Sequence, residues 1–131
     1  MDALRVLIVD DEEELVSALE ERLQLRGFHA RGVTTGADAL TFLESEPCDV
    51  VLLDVKMPGL GGLEVIRRIK KERPNLEVIL LTGHGSSVSV EQGMEAGAFD
   101  YLMKPVKIDD LTRILRSAGA RDRAANRGER S

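Results

Sequence analysis

Residues 50–54 read Val-Val-Leu-Leu-Asp, four branched apolar residues in a row closed by a carboxylate. An apolar run of this length without polar alternation is how a strand reads when both of its faces are covered. Two more runs, Val6 to Val9 and Val78 to Leu81, carry the same signature. Around them lie segments with helical spacing: Leu15, Leu19 and Leu23; Ala37, Leu40 and Leu43; Leu63, Ile66 and Ile69; Ile108, Leu111 and Leu115. Weaker strand signals from Phe28 to Val33 and from Phe99 to Met103 complete a fivefold alternation of strand and helix. The alternation predicts an α/β fold, a parallel sheet with right-handed crossovers and helices on both faces. The segment from Ser86 to Gly97 is the weakest helix, because Ser87, Val88, Ser89, Val90 and Gly93 all have lower helix propensity than Ala or Leu.

The chain has 131 residues, 43% of them apolar and 31% charged, which suits one globular domain and excludes wholesale disorder. A net charge of −5 has the wrong sign for a general polyanion binder. Only Phe28, Phe42, Phe99 and Tyr101 are aromatic, too few for a base-stacking platform, so no nucleic-acid role is expected of this domain. Cys48 is the single cysteine, which excludes an intrachain disulfide and a multi-thiolate zinc site; it reads as a buried packing thiol in a reducing, cytoplasmic setting. The start from Met1 to Arg5 is neither basic nor followed by a long apolar segment, so neither secretion nor contact with a membrane is expected. Composition places a domain at residues 1–119 and a polar, basic tail or linker stub at residues 120–131.

In an open parallel sheet, ligands bind at the carboxyl ends of the strands, near the point where the strand order reverses. Those ends read Asp10 and Asp11, Asp54, Thr82 and Lys104. Each residue alone has an ordinary explanation. Asp10 to Glu14 could be an acidic first helical turn capped by Asp11, Asp54 a loop-start aspartate, Lys104 a surface lysine and Thr82 a turn hydroxyl. Together they deliver three carboxylates, a hydroxyl and an ammonium to one edge. Crowded carboxylates repel unless a cation intervenes, and hard oxygen ligands without His or thiolate select Mg²⁺, with Mn²⁺ as its substitute. Beside such a metal a carboxylate can act as nucleophile towards a phosphoryl group, with Lys104 and Thr82 meeting the phosphoryl oxygens.

The stretches Val9-Asp10-Asp11, Leu53 to Gly59 followed by Gly62, Leu81-Thr82-Gly83-His84-Gly85 and Gly97 to Pro105 together resemble a bacterial two-component response-regulator receiver domain of the CheY-like type. The similarity runs from about Arg5 to Ser117. It implies a doubly wound five-stranded sheet in the flavodoxin-like order 2-1-3-4-5 with five helices. It also implies Asp54 as phosphoacceptor, Asp11 as direct Mg²⁺ ligand, Asp10 acting largely through water, and the Lys56 carbonyl as a further ligand. The amides of Lys56 and Gly83 would contact the phosphoryl group, Lys104 would pair with it, and the Lys104–Pro105 bond would be cis. Thr82 and Tyr101 match the switch pair of the family, acting on an output face of the fourth helix, fifth strand and fifth helix. Lys56 and His84 flank the path of an attacking water and are expected to tune the phosphoryl lifetime.

On this resemblance the donor would be a sensor histidine kinase or a phosphotransfer protein. The recipient would be a downstream protein or an output domain, with phosphorylation-dependent homodimerisation as a further expectation. Catalysis would be confined to self-phosphotransfer and autodephosphorylation. Three rival readings meet specific residues that oppose them. A phosphohydrolase of the haloacid dehalogenase type needs a second acid two positions after its nucleophile, where this chain has Lys56. A flavin or dinucleotide module needs a phosphate-cradling loop, where this chain has Asp10 to Glu14. A binding module that is never phosphorylated would have no use for all five of Asp10, Asp11, Asp54, Thr82 and Lys104.

Overall fold

In a computed structural model, which describes residues 3–57, 59, 61–83 and 87–126, strands and helices alternate. The order is β1 (Arg5–Val9), α1 (Glu13–Leu25), β2 (His29–Val33), α2 (Gly36–Ser45), β3 (Val50–Asp54), α3 (Gly62–Glu72), β4 (Glu77–Thr82), α4 (Ser87–Glu95), β5 (Asp100–Met103) and α5 (Ile108–Asn126). Every neighbouring pair of strands runs parallel, in the order β2-β1-β3-β4-β5. The doubly wound sheet expected from the alternation and the resemblance is the one observed.

The unbroken apolar runs arise from burial on both faces. Val6, Ile8, Val50, Leu52, Ile79 and Leu81 pack against Val16, Leu19 and Leu23 of α1 and Leu111, Leu115 and Ala118 of α5. The alternate residues Leu7, Val9, Val51, Leu53, Val78 and Leu80 pack against Ala39 of α2 and Val65, Ile66 and Ile69 of α3. Each fully buried aliphatic side chain contributes about 1.5–3 kcal/mol. The two layers therefore hold elements whose own propensity is weak, α4 among them. Gly93, which weakens α4 on paper, lies over Leu80, and a Cβ there would overlap Leu80 Cδ1.

In α2 the contact residues differ from those the spacing suggests. Thr35 caps the helix, its Oγ1 accepting the Asp38 amide at 3.0 Å. The apolar stripe then runs through Gly36, Ala39, Leu40 and Leu43, while Ala37, about 100° round the helix from Gly36, is exposed. The helix α5 continues across residues 119 and 120 to Asn126. Arg116, on α5, lies over the buried Phe28 ring at 5.0 Å. Among the described residues no helix is long and apolar enough to cross a membrane.

The amino end of the sheet is fastened by charge. Arg5 Nε and Nη2 donate to Asp49 Oδ2 and Oδ1 at 3.2 and 3.0 Å, and the Arg5 amide donates to Oδ2 at 2.8 Å. Asp49 is almost completely buried while the Arg5 side chain is 44% exposed, and this forked pairing joins the starts of β1 and β3. Next to it Cys48 is buried, its thiol facing the carbonyls of Val50 and Arg5 at 3.3 and 3.8 Å. Burial pushes the thiol pKa up to about 12.

This packing has two measurable outcomes. At pH 8 native Cys48 should react with a thiol reagent roughly a thousandfold more slowly than the unfolded chain, and equal rates would contradict its burial. At the start of α3, a Cβ on Gly62 would overlap the Asp54 carbonyl oxygen and lie 2.8 Å from Val55 Cα, against backbone that cannot give way. Gly62→Ala should cost about 1–3 kcal/mol in urea unfolding, and an unchanged midpoint would place α3 farther from β3.

Candidate functional site

Polar residues gather at the carboxyl end of the sheet because the hydrogen-bonded ladder runs past the strands. The Asp10 amide donates to Val33 O at 3.3 Å, the Val55 amide to Leu81 O at 3.1 Å and the Lys104 amide to Thr82 O at 2.8 Å. Asp10, Asp54 and Lys104 thus leave the sheet from fixed backbone positions. The order of strands sets β1 beside β3, where the winding reverses, the place at which ligands bind in open sheets of this kind.

Asp10, Asp11 and Asp54 each present one carboxylate oxygen, and all three oxygens lie within 4.8 Å of one another. Asp10 is fully buried, Asp54 nearly so, and Asp11 is exposed. Asp10 Oδ1 accepts the Glu12 amide at 3.0 Å. Its Oδ2 lies 2.8 Å from Lys104 Nζ but has no aligned hydrogen bond. Asp54 Oδ1 accepts the Lys56 amide at 3.1 Å, while Oδ2 lies 3.7 Å from Lys104 Nζ. Lys104 Nζ also donates to Glu12 Oε1 at 2.7 Å.

The titration of the two central groups reflects this crowding. Burial raises the Asp54 carboxyl from 3.8 to about 6; the Asp10 and Asp11 charges push the same way, and the Lys56 amide and Lys104 oppose them. Burial alone would lower the Lys104 ammonium, but the close carboxylates of Asp10 and Glu12 hold it above the usual lysine value. The donor set is entirely oxygen, and the buried Asp10 Oδ2 lacks an aligned partner. Both features fit a hard dication such as Mg²⁺ held by Asp10, Asp11 and Asp54.

Thr82 is buried at the end of β4 and its hydroxyl donates to the Gly83 carbonyl at 3.2 Å. Tyr101, on the edge strand β5, is 44% exposed. The Lys104–Pro105 bond is cis. Lys56 is exposed on the loop after β3, and His84 lies outside the described residues. The acidic turn is arranged differently from the sequence reading. Glu12, not Asp11, is the N-cap of α1, with no side-chain cap bond, and its own amide donates to Asp10 Oδ1. Sequence reasoning misses Glu12 as a partner of Lys104; its one trace in the sequence is that a third acid comes after the two aspartates.

The raised carboxyl has a definite sign for stability. A group that holds its proton more tightly folded than unfolded favours folding below its unfolded value, near pH 4, and loses that contribution as pH rises through about 6. At neutral pH without divalent cations, Asp54→Asn should therefore stabilise the protein by about 1–3 kcal/mol, since the amide keeps the Lys56 bond and removes the buried charge. Urea unfolding in chelator should show the gain shrinking towards pH 4. A variant less stable than wild type at pH 7 would contradict the assigned burial.

Comparison with known proteins agrees with this geometry. The family model described as the response regulator receiver domain matches residues 6–116. The chain is 34% identical over 113 residues to the C4-dicarboxylate transport transcriptional regulatory protein DctD of Rhizobium meliloti, covering 86% of this chain and 25% of that protein. To the transcriptional regulatory protein TctD of Salmonella typhimurium it is 38% identical over 114 residues, covering 87% and 51%. The chain thus spans from about a quarter to about half the length of such relatives. Among solved structures, a response regulator receiver domain protein from Clostridium thermocellum superposes with a TM-score of 0.88 at 35% identity, covering 93% of this chain and 98% of that one. The receiver domain of NtrX from Brucella abortus gives 0.83 at 30% identity, covering 88% and 98%. On its sequence match, its strand order and its edge of acids around a lysine, the chain belongs to the response regulator receiver domain family of two-component systems.

Proposed function

We propose that this domain receives a phosphoryl group on Asp54 from a sensor histidine kinase or a phosphotransfer protein in the cytoplasm. The observation that carries the proposal is the meeting of Asp10, Asp11 and Asp54 within 4.8 Å at a strand edge that also holds Lys104. Asp54 Oδ1 is engaged by the Lys56 amide, so Oδ2, on the Lys104 side, is the freer nucleophile. It attacks the phosphorus of a phosphohistidine; the P–O bond forms as the P–N bond breaks, and the departing imidazole takes up a proton. Water later attacks the phosphorus, returning the carboxylate and releasing inorganic phosphate. Asp10, Asp11 and Asp54, with the Lys56 carbonyl, would hold Mg²⁺, or Mn²⁺ in its place, which supplies charge neutralisation between carboxylates and phosphoryl oxygens.

Lys104 balances the charge of the group once it sits on Asp54, and the amides of Lys56 and Gly83 donate to its remaining oxygens. The Thr82 hydroxyl exchanges the Gly83 carbonyl for a phosphoryl oxygen, and the exposed Tyr101 ring turns inward behind it. About two negative charges added at one point bias α4, β5 and α5 towards a second arrangement, which is read by a downstream protein, an output domain or a second copy of the chain. Lys56, and His84 by resemblance, set how readily water reaches the phosphorus. Residues 1–119 act as the receiver, and residues 120–131 serve as its basic tail or linker.

Incubation with acetyl phosphate and Mg²⁺ should add one phosphoryl group by intact mass, and chelator or Asp54→Asn should abolish the gain. A gain that survives Asp54→Asn moves the acceptor elsewhere. No gain in the wild type supports a binding module that works unphosphorylated.

A further inference from the structure

The Lys104 ammonium stands 2.7 Å from Glu12 Oε1, 2.8 Å from Asp10 Oδ2 and 3.7 Å from Asp54 Oδ2. Its shortest bond is therefore to a carboxylate outside the cluster that suits a metal. We propose that Glu12 is a positioning residue that holds the Lys104 ammonium short of Asp54, and so limits the rate at which the site takes up a phosphoryl group. The inference rests on the phosphoacceptor reading above and deepens it by naming a residue that regulates that site.

The backbone of Glu12 is fixed at both ends. Its amide donates to Asp10 Oδ1 at 3.0 Å and its carbonyl accepts the Val16 amide at 3.0 Å. As the N-cap of α1 it stands beside free helix amides that a Ser, Thr, Asp or Asn would cap, and Glu is not among the favoured caps. It makes no such bond and reaches instead across the sheet edge to the residue just beyond β5. Asp10 cannot act as the releasable partner. It is buried, one of its oxygens is bound by an amide, and the other faces the ammonium from within the acidic cluster.

Exposure decides what such a contact can do. The Glu12 side chain is 61% exposed and that of Lys104 is 21% exposed, so water and salt reach the pair from the Glu12 side. A contact of this kind is weak and exchangeable, able to bias a rate without blocking it. When a phosphoryl oxygen approaches Asp54, the ammonium trades Glu12 for that oxygen. No covalent bond changes in the exchange.

The test compares wild type, Glu12→Gln and Glu12→Asp in two measurements. One is the initial rate of phosphorylation by acetyl phosphate with Mg²⁺, at low and high salt. The other is the ¹⁵N signal of the Lys104 ammonium in the metal-free protein, assigned by its loss in Lys104→Arg. Glu12→Gln should be phosphorylated about 1.5- to 5-fold faster at low salt, with the gap closing as salt rises. Its ammonium signal, slowly exchanging in the wild type, should broaden. Glu12→Asp keeps the charge but is one methylene too short to reach, so it should match Glu12→Gln in both measurements. An Asp variant that behaves as wild type would reduce the effect to local charge and overturn the tether. A Gln variant no faster than wild type would show that Glu12 does not limit uptake, and overturns the proposal. If wild type takes up no phosphoryl group, both the rate claim and the phosphoacceptor reading fail. An ammonium signal that still depends on Glu12 would then locate the fault in the reading rather than in the contact.

Discussion

Four acids, Asp10, Asp11, Glu12 and Asp54, meet one ammonium at the carboxyl edge of this sheet, and Lys104 lies within 3.7 Å of three of them. Burial first, and the nearby Asp10 and Asp11 charges after it, push the Asp54 carboxyl up to about 6. The remaining negative charge leaves the edge incompletely balanced. Such an all-oxygen edge has the chemistry that suits a hard cation.

Such an edge can exist only because the rest of the molecule is well satisfied. Two apolar layers hold the strands, and amide bonds extend the ladder past their ends, so the acids stand on backbone that packing has already fixed. The loops beyond them can then be irregular without displacing the chemistry. The close approach of Gly62 to the end of β3 is part of the same economy of space: α3 begins against the carbonyl of Asp54 itself.

Much of this is legible in the sequence, for physical reasons that differ from place to place. Runs such as Val50 to Leu53 announce strands covered on both faces because burial leaves no position for a polar residue. The order of those strands cannot be had from periodicity, and the likeness to a known family supplies it. Asp10 and Asp54 stand out because a charge at the end of a buried strand needs a reason, and Lys104 because it closes the last strand of the alternation. Glu12 does not, since in a run of acids nothing in the spacing tells which one turns away from its own helix. The Arg5–Asp49 pair joins residues 44 positions apart, and only the pairing of β1 with β3 brings them together. Gly93 reads as a weakness in α4, yet its lack of a side chain makes room for Leu80.

The forked bond between Arg5 and Asp49 also bears on how far a disturbance at the opposite rim could spread. It stakes the starts of the neighbouring strands β1 and β3 to each other, adding to the backbone ladder that holds their register. A rearrangement begun at their other tips would meet less resistance in the half-exposed edge strand β5 than between these two. The joined pair β1 and β3 acts as a fixed anvil, and a strain set up at its far rim would fall on the turns and edge elements around it.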